Sequence, residues 1–148
     1  MALLDYTDRR FIKQLAATDK YAAIEELARV FHDSGVCTDV DKLIAALKER
    51  EEIMATGIGF GIAVPHARIK EIRRLSFAIG TSREGIFFDA IDKKPAHLII
   101  LVIAGETQQV EYLRLLSKIM NLLKTENTKE AMVAADNADQ IIDILNTA

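Results

Sequence analysis

The segment HLIILVIA, residues 97–104, leaves few choices of fold. It is a continuous apolar run, rich in β-branched side chains, with none of the polar alternation of a half-exposed strand. It is also far shorter than the roughly 20 apolar residues that span a bilayer. Such a run reads as a central strand buried on both faces. A strand of that kind needs helices on both sides of its sheet. The expected fold is therefore α/β: a single domain over residues 1–148, with a mixed central β-sheet flanked by helices on both faces.

The rest of the chain supplies those layers. Residues 11–15 read as a first strand. In TDKYAAIEELARVFHDSG, Ile24, Leu27, Ala28 and Phe31 fall on one helical face, with Thr18 or Asp19 as N-cap and Gly35 as terminator. DVDKLIAALKEREEI repeats the pattern through Val40, Leu43, Ile44 and Leu47, and its last turn carries Arg50. GIAVPH is a short strand that must stop at Pro65. LSFAIGTS, residues 75–82, is another strand, and EGIFFDAIDKKP a short edge element turning at residues 92–94. After the central strand, QQVEYLRLLSKIMNLLK is strongly helical, its stripe read as Leu113, Leu116, Ile119 or Met120, and Leu123. NADQIIDILN is a last short helix with Ile141, Ile142 and Leu145 inward.

Totals exclude several functions. A net charge of −3 and a pI near 5.6 argue against a general nucleic-acid binder. The local cluster of Arg68, Lys70, Arg73 and Arg74 reads first as solvated surface. One cysteine, Cys37, rules out an internal disulfide and fits a reducing cytosol. The N-terminus has no apolar core of signal-peptide length, so the chain reads as soluble and cytoplasmic.

The chemistry has to be sought around ATGIGFGIAVPHARIKEI, residues 55–72. No G-x-G-x-x-G can be laid on Gly57, Gly59 and Gly61, and no Gly-Lys-Ser/Thr follows, so neither nucleotide-loop pattern holds. The three glycines permit either a close approach of another group to the backbone or a bulged turn into a strand. His32, His66 and His97 show no metal-ligand spacing, and no metal is expected. His66 stands apart because it follows a strand-ending proline, which would hold its ring at the carboxyl edge of a sheet. A neutral imidazole there can attack phosphorus, with guanidinium groups such as Arg68 offsetting the charge. A lone histidine fits a structural role as well.

The run EREEIMATGIGFGIAVPHARI, residues 49–69, resembles the active-site signature of enzyme IIA domains of the bacterial phosphotransferase system, in the fructose/mannitol class that includes the nitrogen-regulatory IIA proteins. GIFFDAIDKKPAHLIILVIAG, EYLRLLSKIMNLL and ADNADQIIDIL extend the likeness over nearly the whole chain. The resemblance implies that His66 is phosphorylated by HPr or its nitrogen-branch relative, with Arg50 beside it. It further implies that Thr56, Gly57, Gly59, Gly61 and Arg68 frame the site. It implies no cofactor and no nucleic acid. The receiver would be a IIB component or a regulatory target, with at most a peripheral relation to a membrane transporter. Where many members carry a second histidine, this chain has Tyr112, expected to face the phosphorylated His66. A phenol can donate a hydrogen bond but carries no positive charge at neutral pH. That difference tilts the reading towards regulation rather than sugar transport, and leaves an alternative, a phosphorylation-deficient IIA-like module acting by contacts alone. IAGETQQ lacks the family's usual proline, so its loop is expected to be shaped differently. A site served by another protein should be shallow and rimmed by apolar side chains.

Overall fold

The computed structural model describes residues 2–147, so Met1 and Ala148 of the expected 1–148 domain lie outside the described residues. One sheet organises the chain. Its strands are β1 (Ile12–Gln14), β2 (Gly57–Gly59), β3 (Ile62–Ala63), β4 (His66–Arg68), β5 (Ser76–Ile86) and β6 (Ala96–Ala104). They lie in the order β1-β5-β6-β3-β2, with β4 also paired to β6. β6 is antiparallel to β5 but parallel to β3 and β4, so the sheet is mixed, as expected.

β6 is buried along its length apart from His97, and its side chains divide cleanly. Ile99, Leu101 and Ile103 pack with Ile24 and Leu27 of α1 (Lys20–Ala28) and with Leu43 and Leu47 of α2 (Val40–Ile53). Leu98, Ile100, Val102 and Ala104 pack against α3 (Gln109–Leu123), α4 (Glu126–Ala134) and α5 (Ala138–Asn146). Both layers are apolar because alternate residues of a strand face opposite sides.

The helix starts are chemically fixed. Asp19, Asp39 and Asn137 accept hydrogen bonds from the backbone N–H groups of Ala22, Lys42 and Gln140, as N-caps should. Gly35, at φ +80°, does not end α1 itself. The helix stops at Ala28, tightens through a 3-10 turn over Arg29–Phe31, and becomes extended at His32.

Three further readings need correction. The stripe of α3 is Tyr112, Leu115, Ile119 and Leu123, while Leu113 is 54 % exposed. The phase rotates because Tyr112 turns inward, which a reading that counts leucines does not anticipate. The edge element read over residues 84–95 is no separate strand: its first three residues end β5, which runs on to Ile86, and the rest is a loop that returns the chain to β6. α4 went unforeseen, since its sequence ENTKEAMVA buries only Met132 among its apolar residues.

Pro65 does break the strand, yet the sheet resumes at once. β3 pairs Ile62 with Leu98 and Ala63 with Ile99; β4 pairs His66 with Val102, Ala67 with Ile103 and Arg68 with Ala104. The register is the same on both sides of the gap. Pro65 has no N–H to give, but its carbonyl still accepts from the Val102 N–H at 3.0 Å. His66 is thus the first residue of a strand beside the carboxyl end of β6.

The α3 phase gives a direct test by urea denaturation. Leu115→Ala should cost about 2–5 kcal/mol, whereas Leu113→Ala should stay within about 0.5 kcal/mol of wild type.

Candidate functional site

Along its outer side β4 has no strand partner among the described residues. The two helical layers meet at this open edge and enclose a cleft of about 380 Å³. Ala46 and Arg50 of α2 line it from one layer, and Gln109 and Tyr112 of α3 from the other, with His66, Ala67 and Arg68 between them. Residues far apart in sequence therefore share one space because α2 and α3 cover opposite faces of the same strand.

His66 is half-buried, and its Nδ1 lies 2.8 Å from the Val64 carbonyl oxygen. A carbonyl can only accept, so Nδ1 carries the proton and Nε2 keeps a free lone pair. Burial pushes the imidazole pKa below its usual 6.5 and the Arg50 charge adds to this, while the Val64 hydrogen bond and Glu51 act the other way. The ring is held neutral, in one tautomer.

Tyr112 is 6 % exposed, and its ring centroid lies 5.9 Å from that of His66. Its hydroxyl is buried and has no hydrogen-bond partner among the described residues. Burial pushes the phenol up to about 12, against the pull of Arg50 and Arg68. The hydroxyl therefore keeps its proton at any physiological pH and remains an unused donor beside the imidazole. Arg50 donates through Nη1 to the Met54 carbonyl at 2.9 Å, an anchor at the C-terminal end of α2. Arg68 reaches towards the Gln109 side-chain oxygen, 3.4 Å away. Two guanidinium groups, an imidazole and a phenol hydroxyl thus line one cleft, a set that suits an anionic group.

The glycines and Thr56 lie elsewhere. Gly57 sits where a Cβ would come within 2.8 Å of the Phe88 carbonyl oxygen, so the close approach is to the protein's own chain. Gly59, Phe60 and Gly61 all have positive φ and form the β2–β3 turn. The Phe60 N–H is held by the Asp92 carboxylate at 3.0 Å. None of the three glycines lines the His66 cleft. Thr56 is buried against Glu51 and acts from behind: its carbonyl accepts the Val64 N–H at 3.0 Å.

Residue-by-residue reading missed Glu51, Gln109 and the Val64 carbonyl. Nothing in a sequence marks a main-chain acceptor. Glu51 did carry a signal, as an acidic residue at a core-facing position of α2. His97 bonds to the Ser82 carbonyl and His32 is exposed, so neither joins the site. In the loop before α3, the Gln108 side chain accepts the Gly105 N–H at 2.7 Å and so closes the turn in place of a proline. Among the described residues no group of three or more His, Cys, Asp or Glu side chains could hold a metal ion. No helix there is long and apolar enough to cross a membrane.

The chain is similar to known proteins over most of its length. The family model described as phosphoenolpyruvate-dependent sugar phosphotransferase system, EIIA 2, matches residues 6–148. A fructose-specific EIIA component from Haloferax volcanii is 36 % identical over 126 residues, covering 85 % of this chain and 82 % of that protein. The fructose-specific EIIABC component of Bacillus subtilis is 31 % identical over 147 residues, covering 99 % of this chain; the chain spans only 23 % of that protein's length. Among solved structures, the nitrogen regulatory protein IIA-Ntr from Neisseria meningitidis superposes with a TM-score of 0.87 at 25 % identity. That match covers 95 % of this chain and 97 % of that one.

The electrostatics can be checked by an NMR titration of the ring nitrogens. His66 should titrate below 6.5 as the Nδ1–H tautomer, and Arg50→Met should raise its midpoint, because removing a nearby cation favours the imidazolium.

Proposed function

Since the chain belongs to the EIIA 2 family of the phosphoenolpyruvate-dependent sugar phosphotransferase system, we propose that it is a phosphocarrier whose acceptor is Nε2 of His66. The observation that carries the assignment is the Nδ1–Val64 hydrogen bond, which leaves Nε2 as the free nucleophile inside a cleft shared with Arg50, Arg68 and Tyr112.

The step needs no proton transfer at His66. The Nε2 lone pair forms a bond to phosphorus while the phosphorus–nitrogen bond of a donor phosphohistidine breaks. The donor imidazole leaves with that electron pair, and His66 keeps its Nδ1 proton on Val64 throughout. In a loose, nearly in-line transfer the charge sits on the three equatorial oxygens, so catalysis rests on positioning and electrostatics. Arg50 and Arg68 offset that charge, and the Tyr112 hydroxyl donates to one oxygen. Thr56 supports the site from behind rather than touching the phosphoryl group, and the glycine-rich turn takes no part in it.

The donor is HPr or its nitrogen-branch relative, and the receiver is a IIB component or a regulatory target, in the cytoplasm. A protein partner suits the surroundings. Val110 and Leu113 beside Tyr112, and Ile53 and Met54 beyond Arg50, are exposed apolar side chains on either side of the cleft. The tight assembly of the cleft favours a working carrier over a module that acts by contacts alone.

Incubation with phosphoenolpyruvate, enzyme I and an HPr-type carrier, followed by intact-mass measurement, tests this. Wild type should gain one phosphoryl group and His66→Ala none; an unmodified wild type would leave only the binding-module reading. Arg50→Ala should slow acceptance by about 10²-fold. Tyr112→Phe should slow it, or shorten the life of the phosphorylated form, by up to about tenfold, the worth of one hydrogen bond.

A further inference from the structure

The residue whose carbonyl fixes the His66 tautomer is itself tied, through its N–H and Thr56, to a buried carboxylate that has no part in the transfer step. Glu51, near the end of α2, is 2 % exposed. Its Oε2 accepts the Thr56 N–H at 2.7 Å, and its Oε1 accepts the Thr56 hydroxyl in a short hydrogen bond. Thr56 passes the constraint on, since its carbonyl accepts the Val64 N–H at 3.0 Å. Val64 in turn accepts Nδ1–H of His66. A line of hydrogen bonds thus runs from the α2 carboxylate to the acceptor ring.

That line crosses the break between β3 and β4, where the sheet grips the chain only through the Pro65 carbonyl. Between β3 and β4, Pro65 offers no N–H, so Val64 lies at a gap in the ladder. Its carbonyl belongs to the Val64–Pro65 peptide, which has no N–H to anchor it, while the neighbouring peptide on the other side of the Val64 Cα is held through its N–H by Thr56. Thr56 is anchored to Glu51 at two donors at once. A buried carboxylate is costly unless it is paired and hydrogen-bonded. Its one cation, Lys20 Nζ, stands 3.6 Å away and is shared with Asp89. A turn with no further duty would close as well on a neutral side chain.

We propose that Glu51 is a positioning residue for phosphoryl transfer: through Thr56 and Val64 it decides which imidazole nitrogen of His66 faces the cleft. This rests on the reading of His66 as the acceptor. It assigns Thr56 a role that its distance from the cleft would otherwise leave unexplained.

The experiment compares Glu51→Ala and Glu51→Gln by two readouts: the tautomer of unphosphorylated His66 from ring-nitrogen NMR, and the phosphorylated nitrogen and acceptance rate with an HPr-type donor. Glutamine can accept the Thr56 N–H and donate to its hydroxyl, so Glu51→Gln should keep a single Nδ1–H tautomer and nearly the wild-type rate. Glu51→Ala should give mixed tautomers, phosphate on both ring nitrogens and a rate lower by about tenfold or more. A single tautomer and an unchanged rate in Glu51→Ala would overturn the proposal. Should Glu51→Ala fail to fold, Thr56→Val decides, because it removes the hydroxyl link at constant volume. Mixed tautomers there uphold the role, and an unaltered ring refutes it. The tautomer is read without any donor, so a wild type that takes no phosphate would sink the carrier reading and still leave Glu51 tested.

Discussion

Burial of β6 on both faces is the constraint from which the molecule follows. Its side chains alternate between two apolar layers, and neither layer can be omitted without exposing a row of isoleucine, leucine and valine to water. Two helical layers need a sheet edge where they approach one another, and β4 is that edge on the side away from β5. An arginine from α2 and a tyrosine from α3 could not reach one histidine across an intact sheet. They reach it here because the sheet stops. The cleft is a consequence of how the core closes, and its positioning is as rigid as the core.

Inside that cleft the energetic balance differs from that of an ordinary interior. An imidazole is kept neutral by burial and by Arg50, and a phenol is kept protonated by burial against two guanidinium charges. The Tyr112 hydroxyl has no hydrogen-bond partner among the described residues. A histidine in that place would change charge near neutral pH, whereas a phenol at about 12 does not. The Tyr112 hydroxyl therefore stays a neutral donor over the range in which an imidazole changes charge.

The architecture was legible because HLIILVIA has a single physical reading, and His66 because proline and histidine at a strand end are unusual together. Arg50 and Tyr112 became visible only through the likeness of the whole run to a known family. Elsewhere, pattern failed for identifiable reasons. Leu113 looks like core in a stripe of leucines, but the inward turn of Tyr112 rotates the helix and puts it in water. α4 has too few buried apolar residues to advertise a helix. The alternate glycines suggested a frame for a ligand, and their spacing instead serves a hairpin and its contact with Phe88. Glu51 reads as one more charge in EREEI until the fold buries it.

The pairing of β4 also has a consequence in time. His66 precedes in sequence both β6, its only strand partner among the described residues, and Tyr112, whose ring lies beside it. A chain emerging from the ribosome N-terminus first presents residues 62–68 with nothing to pair against until β6 has followed, and the cleft stays open until α3 has been made. Non-local strand pairing of this kind is slow, because the intervening chain must be ordered before it is rewarded. A nascent chain therefore holds its histidine long before it holds the cleft around it.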